Sequence, residues 1–370
     1  MKIIFVSNGL KVGGAEKFLL TIINGFADRG YHPVLILLDD ENPLLSELNR
    51  SVKTYVIKRK FRYDISVSLK IRKTIIQEAV SKVICIETYP FFVSKLLFQF
   101  NKKTKFYLSL HNSLPISWKQ HFVDIVYLKA FRKSDTAIFI CNYQKQCFHD
   151  RYFMQPFNSV IIYNGIDTNY FSNLKARSEI PQEIFRWKTR LGLNENSKIV
   201  LMIGRLSKEK GHPYAIEALK YLHNQLNMEA HLVIVGSGPE TYLKNLKEKS
   251  AKLSIDKYVH FAGSNSEVRP FLLEADIFTL TSFSETFSIA ALEAMSCGMP
   301  CSLTNVGGAA EMVINQKIGI LSESRNPASI AESWKRLLST THNREYISAY
   351  TASRFSLEKM MNEYLSLIGN

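Results

Sequence analysis

The segment from residue 199 to residue 226 reads IVLMIGRLSKEKGHPYAIEALKYLHNQL and has the residue pattern of a strand, a loop and a helix. Its first five residues form a continuous apolar run, which is typical of a parallel strand that helices cover on both faces. Gly204 and a polar loop follow, and apolar residues then recur at helical spacing from His212 to Leu226. We therefore predict a buried strand, a loop at its carboxyl end, and a helix that packs back onto the sheet.

The same unit recurs along the chain in two series. The predicted strands of the first series are Ile3–Ser7, Val34–Leu38, Val83–Ile86, Phe106–Leu110, Ala137–Ile140 and Val160–Tyr163. Those of the second series are Ile199–Ile203, His231–Val235, Val259–Ala262, Ile277–Thr281 and Cys301–Leu303. The predicted helices are Glu16–Arg29, Ser66–Val80, His212–Leu226, Glu240–Ala251, Glu267–Glu274, Ile289–Cys297 and Phe355–Ile368. Two such series predict an α/β protein of two doubly wound domains, each with ligand loops at the carboxyl ends of its strands. The boundary is expected within Thr168–Ser197, where strand signals stop.

Composition favours a reduced, cytoplasmic protein. The chain has 370 residues, 46% of them hydrophobic, and five scattered cysteines, an odd number that argues against a disulfide framework. The apolar residues after Met1 are too few for a signal peptide, and no run approaches the roughly 18 to 20 needed to cross a bilayer. We therefore expect a protein that is neither exported nor integral to a membrane.

The positive charge is concentrated in the first half of the chain. Of the net charge of +14, residues 1–165 contribute 24 Lys and Arg minus 12 Asp and Glu, or +12, and the remainder contributes 23 minus 21, or +2. This asymmetry predicts that the first half faces lipid headgroups, a phosphorylated acceptor or nucleic acid. Segments Lys58–Arg62, Tyr89–Val93 and Lys95–Lys103 mix cations with apolar residues and are predicted to rest on an anionic membrane. The alternative is a solvated basic face whose apolar residues pack inward.

The loop after the first predicted strand contains Gly13 and Gly14. Glycines between a strand and a helix let the backbone approach a ligand, and the helix N-terminus offers N–H groups to a phosphate. The spacing is not the G-x-G-x-x-G fingerprint, which argues against a nicotinamide dehydrogenase. A tight turn without a ligand is the alternative.

The loop after the first strand of the second series holds Gly204, Arg205 and Lys210. A guanidinium that makes two parallel hydrogen bonds and an ammonium five residues later suit a diphosphate. A solvated basic loop is the alternative.

A pair of acids gives the sharpest functional signal. Glu285 follows a predicted strand, and Glu293 lies eight residues later in the next helix, so both can point towards one cleft. Carboxylates accept hydrogen bonds from sugar hydroxyls, and a ribose diol is a suitable partner. The backbone N–H groups of Phe287, Ser288 and Ile289 would lie at the helix N-terminus. Helix capping and surface charge are the alternative explanation.

Five motifs in register resemble the family-4 retaining glycosyltransferases over residues 3–368. They are Gly13-Gly14-Ala15-Glu16, Tyr163-Asn164-Gly165-Ile166-Asp167, Gly204-Arg205 with Lys210-Gly211, Glu285 with Glu293, and Val306-Gly307-Gly308-Ala309-Ala310-Glu311. The resemblance implies a GT-B fold, in which two Rossmann-like domains face each other across a cleft. It implies an acceptor-binding domain at 1–170, a nucleotide-sugar-binding domain at 171–354, and a last helix, 355–370, that crosses back to the first domain.

The resemblance also implies the roles of individual residues. Arg205 and Lys210 would bind the donor diphosphate, Glu285 would lie near the transferred sugar, and Glu293 would bind the ribose hydroxyls. His111, at a predicted strand end, resembles the family's active-site histidine, with a satisfied structural histidine as the alternative. The resemblance implies four catalytic residues, His111, Arg205, Lys210 and Glu285. The expected donor-binding residues are Gly13, Gly14, Gly204, Arg205, Lys210, Glu285, Phe287, Ser288, Ile289 and Glu293.

The implied activity is a retaining transfer of a hexose or N-acetylhexosamine from a nucleotide diphosphate sugar to a glycan or lipid-linked acceptor. UDP is expected because it is the commonest nucleotide in the family, and the process expected is bacterial cell-envelope polysaccharide or lipopolysaccharide synthesis. No cofactor and no metal are expected: Asp39-Asp40 lacks the surroundings of a metal-binding acidic pair, and Cys297 and Cys301 have no second pair. Three alternatives remain, namely nucleic-acid binding by the basic half, a nucleotide-sugar epimerase of the same fold, and an inactive scaffold.

Overall fold

The structure is a computed structural model that describes residues 1–11, 14–98, 103–111, 118–152, 158–172 and 179–369. The chain divides into a first unit, Met1–Asn164 with Met360–Asn370, and a second unit, Gly165–Lys359. We predicted the boundary at 171. The division falls earlier because Ile166 forms a parallel bridge with Ser356 and exchanges backbone hydrogen bonds with Phe355 and Leu357, all in the second unit.

The first unit contains a seven-stranded sheet in which every neighbouring pair is parallel. Its strands are β1 (Lys2–Ser7), β2 (His32–Leu37), β3 (Lys53–Val56), β4 (Lys82–Ile86), β5 (Lys105–Ser109), β6 (Thr136–Phe139) and β7 (Ser159–Ile161). The order β3-β2-β1-β4-β5-β6-β7 reverses its direction of winding between β1 and β4. The loops that follow β1 and β4 therefore diverge, and ligands of open α/β sheets bind in the crevice that such loops leave.

The helices of the first unit join these strands. They are α1 (Gly14–Asp28), α2 (Val67–Gln77), α3 (Thr88–Lys95), α4 (Trp118–Leu128) and α5 (Asn142–Tyr152). Short 3₁₀ turns occupy Pro43–Glu47 and Leu96–Phe98. Residues 3 to 6 of β1 are fully buried, because the sheet is covered on both faces.

The second unit contains a six-stranded parallel sheet of order β10-β9-β8-β11-β12-β13. Its strands are β8 (Ile199–Ile203), β9 (His231–Val235), β10 (Val259–Gly263), β11 (Ile277–Leu280), β12 (Cys301–Thr304) and β13 (Gly319–Ser322). The winding reverses between β8 and β11, so the loops after these two strands border the crevice of this sheet.

Ten described helices follow β7 in the chain. They are α6 (Gln182–Phe185), α7 (Trp187–Arg190), α8 (His212–Asn224), α9 (Glu240–Lys252), α10 (Arg269–Glu274), α11 (Ile289–Ser296), α12 (Ala309–Met312), α13 (Pro327–Leu338), α14 (Arg344–Phe355) and α15 (Leu357–Gly369). Short 3₁₀ turns occupy Lys208–Lys210 and Asp256–Tyr258. None of the helices in the described ranges has both the length and the apolar character that crossing a bilayer would take.

The last helix begins two residues later than predicted and completes the first unit. Phe355 ends α14, extended Ser356 pairs with Ile166, and α15 starts at Leu357. Further along α15, the Met361 side chain fills the space beside Gly25 of α1, where an added Cβ would lie 2.8 Å from the sulfur.

One predicted membrane-facing stretch is buried, so that part of the prediction is wrong. Tyr89, Phe91 and Val93 of α3 are 7%, 0% and 0% exposed, and the Lys95 ammonium forms a buried ion pair with Asp135. The reason is that α3 packs against β4 and β5 and lies between α2 and α4. Residues 99–102 of the same prediction lie outside the described residues.

Candidate functional site

Two side chains from separate motifs meet at the carboxyl edge of the second sheet. Lys210 ends the 3₁₀ turn after β8, and Glu285 lies in the loop after β11, across the reversal of winding. The Lys210 Nζ lies 2.5 Å from the Glu285 Oε2, and both side chains are about one-fifth exposed. A cation and an acid are thus held together at the rim of the crevice where a ligand is expected.

Gly211 locks the Lys210 turn against β11. Its backbone is left-handed, with φ of 71°, and an added Cβ would lie 2.0 Å from the backbone oxygen of Thr281. The Thr281 hydroxyl donates a hydrogen bond to the Gly211 carbonyl at 3.0 Å. Only glycine adopts this φ without strain and also leaves room for the Thr281 oxygen, so Gly211 determines where Lys210 points.

A second glycine, Gly307, packs closely against the backbone of Glu285. Gly307 has a φ of 61°, and an added Cβ would lie 2.1 Å from the Glu285 carbonyl oxygen. The next residue, Gly308, donates its N–H to the Thr286 carbonyl at 2.7 Å. Close packing against the acidic loop therefore requires glycine at position 307.

Gly204 and Arg205 begin the loop that carries Lys210. The Lys210 stem passes over Gly204, whose added Cβ would lie 3.8 Å from the Lys210 Cε. The Arg205 side chain is 69% exposed, and its Nη2 lies 3.6 Å from the Glu209 Oε1. An exposed ion pair of this length contributes little energy, so the guanidinium can turn to an anion at small cost.

The helix N-terminus after Glu285 is capped by the protein itself. The Ser288 side chain accepts a hydrogen bond from the Ala291 N–H at 3.3 Å, and α11 begins at Ile289. Phe287 is buried and packs 5.5 Å, ring to ring, from Phe355. The N–H groups of residues 287–289 were predicted to face the donor, and that role stays a prediction.

Glu293 lies half-buried on α11, one turn from Cys297. Burial and the negative charge of Glu293 raise the pKa of the Cys297 thiol to about 12. The thiol donates to the Phe171 carbonyl at 3.1 Å, so Cys297 is a structural thiol. The ribose-binding role of Glu293 also stays a prediction.

A serine that the sequence did not single out lies beside Glu285. Ser282 follows β11, is 1% exposed, and lines a narrow pocket together with Glu285 and Thr286. Its hydroxyl has no hydrogen-bond partner among the described residues. A buried hydroxyl without a partner costs free energy, so this pocket suits a polar ligand atom or a water. A serine at a strand end was the available sequence signal.

His111 lies at the carboxyl edge of the first sheet, two residues after the end of β5. Its Nε2 lies 3.1 Å from the Ser109 hydroxyl, and the Phe18 ring packs at 4.3 Å, centroid to centroid. Burial lowers the pKa of the imidazole to about 3. The ring is therefore neutral at neutral pH and acts as a hydrogen-bonding group rather than as a cation.

Glu87 is an additional candidate that sequence reasoning missed. It follows β4, across the reversal of winding from β1, and has a φ of 71°, which is rare for a residue with a side chain. Its Oε1 accepts a hydrogen bond from the backbone N–H of His111 at 3.0 Å. Strained backbone of this kind is concentrated at functional sites, and here it positions the histidine. An acid directly after a buried strand was the one available signal.

The glycines after β1 are described in part. Gly13 lies outside the described residues. Gly14 begins α1, and a Cβ added there would meet no atom within 4 Å. Packing among the described residues therefore does not explain the glycine, and its predicted contact with the donor stays a prediction.

The two sheets and their loops define an α/β protein with the GT-B fold. Solved structures bear out the fold: the Anabaena protein HepE, crystallised with UDP, superposes with a TM-score of 0.82 at 21% identity, over 100% of each chain. Residues 12–170 match the family described as Glycosyltransferase Family 4, and residues 183–354 match Glycosyl transferases group 1. The chain belongs to the group 1 glycosyltransferases of family 4.

Two curated relatives are similar to about half of this chain. An uncharacterized glycosyltransferase of Methanocaldococcus jannaschii is 35% identical over 50% of this chain and 46% of its own length. The Escherichia coli UDP-Gal:alpha-D-GlcNAc-diphosphoundecaprenol alpha-1,3-galactosyltransferase is 30% identical over 58% of this chain and 55% of its own. The chain thus spans about half the length of these relatives.

Proposed function

We propose that this chain transfers a sugar from a UDP-sugar to a glycan or lipid-linked acceptor, with retention of anomeric configuration and without a metal. The observation that carries the proposal is the Lys210–Glu285 pair at the rim of the second sheet. The pair offers a cation to a diphosphate and an acid to sugar hydroxyls in one place.

The proposed reaction needs charge stabilisation at the leaving group. As the bond between the sugar C1 and the β-phosphate oxygen breaks, its electron pair moves to that oxygen, where negative charge develops. Arg205 and Lys210 donate hydrogen bonds to this charge, and fixed donors aimed at developing charge lower the barrier. The acceptor hydroxyl attacks C1 from the face that the phosphate leaves, and its proton passes to the departing phosphate oxygen.

The ion pair between Lys210 and Glu285 would be exchanged when the donor binds. The Lys210 ammonium then turns from the carboxylate to the diphosphate, and the Glu285 carboxylate accepts hydrogen bonds from the sugar. Glu293 takes the ribose hydroxyls. Each charged group keeps a partner before and after binding, so neither is left buried without one.

The relatives' names support the choice of substrates. The E. coli relative is named for UDP-Gal and a diphosphoundecaprenol-linked acceptor, and HepE was also crystallised with UDP-glucose. The galactosyltransferase WaaB, named for the lipopolysaccharide outer core, superposes with a TM-score of 0.76 at 18% identity. We therefore propose bacterial envelope glycan synthesis as the process, with the protein at the inner face of the cytoplasmic membrane.

UDP is expected to raise the melting temperature selectively. Ligand at one hundred times its Kd stabilises the folded state by about 2.7 kcal/mol, which corresponds to about 5 to 10 °C for a unit of this size. The measurement is differential scanning fluorimetry with UDP, GDP, ADP and CMP, followed by UDP-sugars. Glu293→Ala and Arg205→Ala should each reduce the shift.

The matched control for the acid is Glu332→Ala, an exposed glutamate on α13. It should keep the full shift. An equal response to all four nucleotides, or a UDP shift that survives Glu293→Ala unchanged, would contradict the proposed donor site.

Retention and metal independence are tested on the product. With a UDP-α-sugar as donor, NMR of the product should show an α linkage, and excess EDTA should leave the initial rate unchanged. A β linkage would exclude same-face attack, and loss of the rate that Mg²⁺ restores would exclude the metal-free mechanism. Conversion of the donor into its epimer without an acceptor would support the epimerase alternative instead.

A further inference from the structure

One surface of the first unit combines one sign of charge with exposed apolar side chains. From Lys58 to Gln77 the sequence contains seven Lys and Arg and a single acid, Asp64. Lys58 and Arg59 are paired with Asp40 and Asp39, and Asp64 is 2% exposed. From Lys60 to Gln77 the outward side of the segment therefore presents cations and none of its own carboxylates. Lys70, Arg72 and Lys73 are all exposed on α2.

Large apolar side chains stand among these cations. Phe61, Ile65 and Leu69 are 63%, 56% and 67% exposed. The opposite face of α2 is well packed, since Ile71 and Ile75 are 0% and 1% exposed. The core-facing side of α2 is thus already covered, and the exposed apolar residues lie on a different side.

The fold holds the loop before α2 in this orientation. The Asp64 carboxylate accepts the N–H groups of Lys60 and Ser66 at 2.8 and 2.9 Å. The Tyr89 hydroxyl donates to the Asp64 carbonyl at 2.9 Å. These hydrogen bonds hold Asp64 in a buried position, and its neighbours Phe61 and Ile65 face outward.

Helix α4 extends the same surface. Phe122 and Val126, one turn apart, are 64% and 41% exposed, and exposed Lys119 and Lys129 flank them. The Arg62 Nη2 donates to the Gln120 Oε1 at 2.7 Å and joins the loop to α4. We call the outward sides of residues 60–65, α2 and α4 the basic-apolar face.

We propose that the basic-apolar face docks on an anionic phospholipid bilayer. Lysine and arginine near an anionic leaflet are each attracted to it, and apolar side chains enter the boundary between headgroups and acyl chains. The arrangement favours a bilayer over a protein partner. A protein interface has an apolar centre depleted of charge within a polar rim, whereas here cations and apolar tips alternate.

The position of the face gives docking a purpose. The loop follows β3, and the Arg59 Nη1 reaches the Asn8 side chain, just after β1, at 3.4 Å. The face therefore adjoins the carboxyl edge of the sheet that also holds His111. Docking there would bring lipid-linked acceptors to this edge. This role in acceptor delivery rests on the proposed function, whereas the docking itself does not.

The test is co-sedimentation of the full chain with vesicles. Binding is expected to phosphatidylglycerol–phosphatidylcholine vesicles at low salt, to weaken as salt rises, and to be far weaker on pure phosphatidylcholine. Each lysine near the surface is worth about fivefold in affinity, so Lys70→Ser with Lys73→Ser should weaken binding about 25-fold. Phe61→Ser with Ile65→Ser should weaken binding at least tenfold, with the salt dependence retained.

The matched control is Lys247→Ser with Lys252→Ser on α9 of the second unit, two exposed lysines that the proposal does not use. It should bind vesicles like the unchanged protein. Absence of binding at low salt, equal weakening in the control, or a dimer that dissociates only in the Phe61 variant would overturn the proposal. The UDP melting shift, measured on the same variants, should remain, so failure of docking is distinguished from failure of the transferase assignment.

Discussion

Lys210→Ala should lower kcat by about 10²- to 10³-fold. The Nζ of Lys210 is one of the fixed donors proposed to face the charge that develops on the leaving phosphate, and losing one such donor typically costs that much. The charge on the diphosphate grows as the bond breaks, so kcat should fall more than KM rises. The measurement is the steady-state rate of UDP release over a range of donor concentrations.

The control is Lys208→Ala, in the same 3₁₀ turn and with the same change of charge. Lys208 is exposed and has no predicted role, so its kcat should stay within a factor of about two of the starting value. A Lys210→Ala enzyme with an unchanged kcat and a higher KM would assign the lysine to donor binding alone.

Gly211→Ala should destabilise the second unit by about 3 kcal/mol or more. An alanine at a left-handed φ costs about 1 to 2 kcal/mol, and the added Cβ would also lie 2.0 Å from the Thr281 oxygen, so the backbone must move. The measurement is the midpoint of urea unfolding in the transition that UDP shifts, with the slope unchanged.

Gly192→Ala is the matched control, because Gly192 has the same φ of 71° and open space where its Cβ would lie. It should cost only the backbone term, about 1 to 2 kcal/mol. Equal losses in the two variants would mean that the contact with Thr281 carries no energy. The displaced turn should also lower the activity of Gly211→Ala, because Lys210 directly precedes it.

The sequence predicted central strands better than edge strands. The bounds of β8 and β9 match the prediction, since both lie inside the sheet and read as continuous apolar runs. Strands β3 and β13 were missed. Each lies at a sheet edge with a single neighbour and contains half-exposed residues, so neither shows the apolar run that identifies a buried strand.

Parts of the site were visible in the sequence because parallel strands bring their carboxyl ends to one edge. That rule, with the family resemblance, assigned both Lys210 and Glu285 to the donor site although 75 residues separate them. It does not specify partners inside a layer. Lys95 pairs with Asp135, which lies 40 residues away in the sequence, so the sequence pattern did not reveal the pair and predicted a lysine that faces a membrane. The packing of α3 shows that the two residues are buried together.

Glu87 shows a different limit. No pattern of residue types predicts that Glu87 adopts a positive φ, because the hydrogen bonds around it impose this conformation. Its N–H donates to the Ser109 carbonyl and its carboxylate accepts from His111, both on or after β5. The register of β4 against β5 therefore decides the site geometry here.

The first unit is discontinuous in the chain, and this affects the order in which the protein is built. Residues 360–369 supply Met361, which covers Gly25, and Tyr364, whose hydroxyl lies 3.4 Å from that of Ser109 beside His111. A ribosome makes them only after the whole second unit. Until then, the nascent first unit has an uncovered apolar face on α1 and an unfinished histidine pocket. The first unit can therefore reach its final packing only after almost the whole chain has been made, although its sequence comes first.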